Sequence, residues 1–176
     1  MYPLTRLMLV SLKAFRAAPL EADGVAESSF RCRPWDLDMF LEMNNGRVLT
    51  LFDLGRFDLS IRTGLAKVLK RKRWGLAVAG ASVRYRKRIR IFDKVTMRTQ
   101  VLGFDDRWIF LGQSMWVNDK PVSSLLVRTC VTEAGTSVPT RQVRQAMNVE
   151  DWKPLLPDWV EAWHQADQTR PWPPVP

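Results

Sequence analysis

A single long helical pattern followed by four strand patterns is what most restricts the folds open to this chain. From Asn45 to about Val68, Val48, Leu51, Phe52, Gly55 and Leu59 recur at helical spacing, with closure near Gly64 or at the basic run Lys70 to Arg73. Leu76 to Ile91, Lys94 to Gly103, Trp108 to Val117 and Pro121 to Thr132 are then rich in Val, Ile, Thr and aromatics. They are separated by Phe92-Asp93, Asp105-Asp106 and Asn118-Asp119-Lys120, connections short enough for antiparallel hairpins. Glu27 to Arg33 alternates weakly and reads as a strand ahead of the helix. This order predicts an α+β fold in which an antiparallel sheet of about five strands buries one face against one long central helix.

A length of 176 residues, 46% of them hydrophobic, suits one ordinary domain that needs no disulfide staples. Cys32 and Cys130 lie in strand-like segments without CxxC or Cys/His spacing, so they read as buried free thiols, at home in a reducing cytoplasm. No run of apolar residues is long enough to span a membrane. The net charge of +9 is local: Leu59 to Phe92 holds eleven of the 27 basic residues and no acidic one. Coenzyme A phosphates, an anionic membrane surface and nucleic acid all fit such a segment, and so does a solvated basic face.

Three regions follow: 1–24, 25–134 and 135–176. The first holds an amphipathic helix over Leu4 to Ala18, with Leu4, Leu7, Met8, Leu12 and Phe15 on one side and Arg6, Lys13 and Arg16 among the polar positions. Its charges interrupt any secretory-signal core, which leaves docking on the protein's own body, peripheral contact with the inner membrane surface, or binding of a partner. The last region is polar and irregular, with a short helix near Asp158 to Ala166. Its end, Pro171-Trp172-Pro173-Pro174-Val175-Pro176, is expected to be extended or disordered.

The one histidine, His164, lies far from every motif and reads as an exposed helix residue, so Ser-His-Asp and Cys-His arrangements are not expected. No metal-ligand spacing and no Gly-rich phosphate loop occurs, so neither metal nor cofactor is expected. The bases on offer are Asp36, Asp38 and Glu42 before the helix, and Asp53 and Asp58 within it. Asp36 reads as satisfying backbone groups in its turn, and Asp58 as a surface partner of Arg62 at i,i+4. Asn44 suits the helix cap, and the first-turn N–H groups at Asn45 and Gly46, with the helix dipole, suit a developing oxyanion. Period two would set Arg84, Arg86, Arg88 and Arg90 on one strand face, suited to phosphates or screened by solvent.

The run Pro34 to Arg47, with Asp36-Leu37-Asp38 and Asn44-Asn45-Gly46, resembles the D-x-D-x-x-x-H-x-N-N-x-x-Y signature of hotdog-fold acyl-CoA and acyl-carrier-protein thioesterases. It is most similar to the branch containing thioesterase superfamily member six, and Leu102 to Arg107 also resembles that branch's later hairpin. The resemblance, spanning about Glu27 to Glu133, implies a hotdog fold and hydrolysis of an acyl thioester carried by coenzyme A or a carrier protein. It implies Asp38 as the catalytic carboxylate, and Asn45 with Gly46 as the turn that polarises the carbonyl. It further implies active sites built in a homodimer or homotetramer. Glu42 stands where the pattern has His, and Val48 where it has Tyr. Glu42 then reads as a second carboxylate that tunes Asp38 or orients its water, or as the mark of lost activity. Asn44, Leu49, Phe52, Arg84, Arg86 and Arg88 are the expected substrate contacts, with the acyl chain along the central helix. The alternative is a non-catalytic acyl-CoA or lipid-binding hotdog module at membranes. A nucleic-acid partner is not expected, because no nucleic-acid motif accompanies the basic segment.

Overall fold

The computed structural model describes residues 2–171, 173 and 174. Its elements run α1 (Leu4–Arg16), β1 (Ala26–Arg31), a 3-10 turn (Pro34–Asp36), α2 (Asn45–Arg62), α3 (Leu65–Lys72), β2 (Gly75–Tyr85) and β3 (Lys94–Phe104). They continue with β4 (Ile109–Val117), β5 (Lys120–Glu133), β6 (Thr136–Val138), α4 (Thr140–Ala146) and α5 (Asp158–Gln168). The antiparallel sheet has the order β1-β3-β4-β5-β2, with the short β6 added beside β5. Register shifts at Val78/Gly80, Val101/Gly103 and Met115/Trp116 curl it. Its inner face wraps α2, and Val48, Leu51, Phe52 and Leu59 of the helix pack with Val95, Met97, Leu111, Met115 and Val127 of the strands. Burying each such side chain stabilises the fold by about 1.5–3 kcal/mol.

Gly55 sets the depth of that packing. A Cβ there would lie 2.6 Å from Thr99 Oγ1 and 2.9 Å from Met97 Cε, so glycine lets α2 sit directly on the sheet. Beside it, Gln113 donates from Nε2 to the Phe52 carbonyl (2.7 Å) and Thr99 Oγ1 (2.9 Å). Its Oε1 accepts from Arg56 Nη1 (2.7 Å), and Arg56 Nη2 donates to Asp53 Oδ1 (2.8 Å). A core amide satisfied on both atoms pins the helix register to β4.

One expected boundary holds and one shifts. Of the two closures expected for the long helix, the structure takes the one near Gly64: α2 ends at Arg62, Gly64 adopts φ +80°, and α3 restarts beyond it to carry Lys70, Arg71 and Lys72. The strand expected to reach Ile91 stops at Tyr85. The Arg86 and Lys87 N–H groups both donate to the Val122 carbonyl (2.8 and 3.0 Å), and this turns the chain out of the ladder. Arg84 and Arg86 therefore do not share a strand face.

The segment after Glu133 carries the helix expected near Asp158 to Ala166, as α5, and a second, unexpected one, α4. Val143 of α4 joins Val131 and Val138 in one cluster. Val160 of α5 joins Phe110 and Leu126 on the outer face of the sheet. His164, expected to be exposed, is 7% exposed: Nδ1 lies 3.0 Å from Arg128 Nη1, and Arg128 Nη2 donates to Asp167 Oδ2 (2.8 Å). Because Arg donates, Nδ1 accepts, and Nε2 on the other side of the ring lies 3.4 Å from Asp105 Oδ2. This cluster fastens α5 to the face of the sheet opposite α2. The reading of an extended or disordered terminal segment falls in part on Trp172, Val175 and Pro176, which lie outside the described residues.

Candidate active site

The connection from β1 to α2 is organised around Asp36, which is 1% exposed. Arg6 of α1 donates from Nη1 to Oδ1 (3.1 Å) and from Nη2 to Oδ2 (2.7 Å), and the Arg33 N–H also donates to Oδ2 (2.9 Å). Arg47 Nε of α2 lies 3.3 Å from Oδ1. The backbone carbonyl of Asp36 accepts the Asn44 N–H (2.9 Å). Asp36 is thus a structural joint of wider reach than a turn residue, with its acceptor sites taken.

Between that joint and α2 the chain makes a tight turn. The Asp38 N–H donates to the Glu42 carbonyl (2.9 Å), Leu41 N–H to the Asp38 carbonyl (3.1 Å), and Leu41 adopts φ +59°. Asp38 is half-buried, and its Oδ1 accepts the Phe40 N–H (2.8 Å), so the carboxylate is folded onto its own turn. Met39, Phe40 and Leu41 at the tip are exposed.

Asn44 caps α2 as its residue type requires: Oδ1 accepts the N–H groups of Gly46 (2.9 Å) and Arg47 (3.2 Å). The Gly46 N–H is therefore taken by the cap. The Asn45 N–H has no acceptor among the described residues, and it stands at the positive end of the α2 dipole.

A cavity of about 250 Å3 opens at this helix start, lined by Glu42, Asn45, Val48, Tyr85, Arg86 to Ile89 and Ser123. Glu42 Oε2 lies 2.7 Å from Arg88 Nε. The Tyr85 hydroxyl donates to the Asn45 carbonyl (3.3 Å), and burial pushes its pKa up, so it stays protonated as a donor. Ser123 was invisible to motif reading. Its buried hydroxyl has no hydrogen-bond partner among the described residues. Only the register of β5 against β2, which pairs Ser123 with Tyr85, brings it to the helix start.

The expected residues therefore divide. Glu42, Asn45, Arg86 and Arg88 meet at the cavity, and Asn44 and Gly46 form the cap behind it. Asp38 does not line it. Arg84 is displaced from the expected row: it pairs with Ser124 and lines a groove on the outer face of the sheet with Arg98, Trp159 and Trp163. Phe52 is 0% exposed and packed in the core, whereas Leu49 is exposed. A separate, almost wholly apolar cavity of about 70 Å3 lies at the other end of α2, beside Arg56, Leu59 and Thr63. Among the described residues no cluster of three or more His, Cys, Asp or Glu could hold a metal ion.

A sheet curled around one helix, with a capped helix start facing a polar cavity, is the arrangement of the hotdog thioesterases, and the family comparison agrees. The chain belongs to the thioesterase-like superfamily, whose model matches residues 32–174. Protein THEM6 of Xenopus laevis is 34% identical over 122 residues, covering 68% of this chain and 58% of that protein. Protein THEM6 of Drosophila melanogaster is 37% identical over 83 residues, covering 47% and 43%. The chain thus spans about half the length of the curated relatives it matches. In fold it is similar to the probable thioesterase YbaW of Escherichia coli, with a TM-score of 0.66 at 15% identity over 71% of this chain and 98% of that one. It is similar also to a Thermus thermophilus thioesterase complexed with coenzyme A and Zn, with a TM-score of 0.60 at 20% identity over 69% and 95%.

Proposed function

We propose that the protein hydrolyses acyl thioesters, most directly acyl-CoA, at the start of α2. The observation that carries this reading is the uncommitted Asn45 N–H at the positive end of a long helix, opening into a cavity that also holds a carboxylate. A thioester carbonyl placed there gains negative charge as water attacks, and a fixed donor with the helix dipole stabilises that charge more than the ground state. Glu42 already faces the cavity and is positioned to take the proton of the attacking water, with Arg88 orienting its carboxylate. Asp38 stands outside the cavity lining, with its Oδ1 accepting the Phe40 N–H. Arg86, Lys87 and Arg88 form a cationic rim suited to the phosphates of coenzyme A, or to an acidic carrier protein. The β2 edge leaves a row of backbone groups without a partner among the described residues, which supports a homodimer or homotetramer joined there. The buried unpaired thiols support a reducing, cytoplasmic setting.

The test is thiol release from acyl-CoAs graded in chain length, with Glu42→Gln and Asp38→Asn compared against the native chain. Glu42→Gln is expected to lower kcat by about a hundredfold or more. If Asp38→Asn alone abolishes turnover, the base is Asp38 and the Glu42–Arg88 pair only shapes the cavity. A second reading rests on those same two carboxylates being engaged by Arg88 and the Phe40 N–H: a module that binds acyl thioesters without cleaving them. Tight binding with no thiol release from any substrate would select it.

A further inference from the structure

Helix α1 has two apolar faces, and the structure uses only the narrower one. At about 100° per residue, Leu7, Val10 and Ala14 point one way, and Leu4, Met8, Leu12 and Phe15 point about 120° away. Ala14 is buried, and Leu7 and Val10 pack against the main core. The other stripe faces out: Phe15 is 73% and Leu4 69% exposed, with Met8, Leu9 and Leu12 also exposed. The expectation that Leu7 shares one face with Leu4, Met8, Leu12 and Phe15 is thus corrected. Those four side chains are left largely or half exposed, outside the clusters that hold the helix on the body.

We infer that this outer stripe is a docking surface for an anionic lipid membrane, on which α1 lies parallel to the surface with Leu4, Met8, Leu12 and Phe15 in the acyl boundary. Exposed Arg16 borders the stripe and suits a negative headgroup layer, its stem lying along apolar surface while its charge reaches it, and exposed Lys13, about 100° further round the helix, adds to the positive field there. No carboxylate side chain occurs in the sequence from Met1 to Leu20, so nothing on the helix repels that layer. Arg6 is the exception among the cations, because it turns inward to Asp36 and is held there. A second copy fits the stripe less well. A helix of 13 residues is about 20 Å long and offers about 200 Å2 on one stripe, far below the roughly 800 Å2 per partner of a stable interface. A membrane needs no such area from one protein surface, since acyl chains mould to each side chain. No helix among the described residues is long and apolar enough to cross the bilayer, so the contact is peripheral.

The experiment is flotation of the full chain with vesicles of phosphatidylcholine alone and of phosphatidylcholine mixed with phosphatidylglycerol. The chain is expected to float with the mixed vesicles, and progressively less as salt is added. Phe15→Ser combined with Met8→Ser is expected to lower the partition coefficient by roughly a hundredfold. The double variant should keep the native circular dichroism and melting temperature, and the native rate of thiol release, so this result stands apart from the thioesterase reading. Failure to float with either vesicle overturns the inference. So does flotation unchanged in the double variant. A fall in oligomer mass of that variant without vesicles also overturns it, and assigns the stripe to a second copy.

Discussion

Asp36 and Asp38 are two residues apart and end in opposite states. Asp36 is held by two guanidinium groups and a backbone N–H, whereas Asp38 bonds only the turn it sits in. The spacing of the pair and the structural part of Asp36 were legible in the sequence, but the reach of that joint was not. That depends on Arg6, thirty positions upstream on a helix whose docking no local pattern fixes. The same gap explains Asp58, expected at the surface but buried, with its nearest cation, Arg62 Nη1, 3.9 Å away. Burial pushes its carboxyl above the ordinary value of 3.8, and Arg62 offsets this only in part. A raised folded pKa means the native state holds this proton more tightly than the unfolded chain. Asp58 thus opposes folding in full above its folded pKa. The penalty fades as pH falls through that value, and it is gone below 3.8, where both states are protonated. Asp58→Asn is therefore expected to raise the melting temperature at neutral pH, with a gain that shrinks on acidification. Thermal unfolding across pH checks this, and a loss of stability at neutral pH would contradict it.

At the level of elements, periodicity gave the strand and helix order and most of the ends, but ran β2 past its stop. The closure of α2 near Gly64 was legible as a glycine, whereas β2 stops at Tyr85 because two N–H groups share one carbonyl. That cause has no periodic trace. The four arginines from Arg84 alternate as a strand should, yet only Arg84 is in one. Gly55 was read as one more position of the helical stripe, and only the sheet beneath it shows why it is glycine. Gly55→Ala is expected to destabilise the fold by about 1–3 kcal/mol, because Thr99, Met97 and Gln113 lie within 3.0 Å of the new methyl group. Urea unfolding measures it. A neutral result would mean that α2 can lift from β3 and β4 without loss.

For the whole molecule, the sequence carried the central sheet and helix but not the cover on the outer face. α5 is held there by Arg128, His164 and Asp167, residues far apart in the chain with no shared motif. Asp36 has a comparable reach, linking α1, the 3-10 turn and α2. Asp36→Ala leaves Arg6 and Arg47 without their carboxylate and is expected to cost about 3–5 kcal/mol, roughly a 10 °C fall in melting temperature. A fall of only a degree or two would show that the guanidinium groups find water instead. This joint also orders events during synthesis. On the ribosome, α1 is made before any of the residues it docks on. Arg6 waits for Asp36, and the pair is enclosed only after Arg47 has left the exit tunnel. Until then both apolar stripes of the nascent helix stand open, so its seating is among the last contacts of this region to form rather than the first.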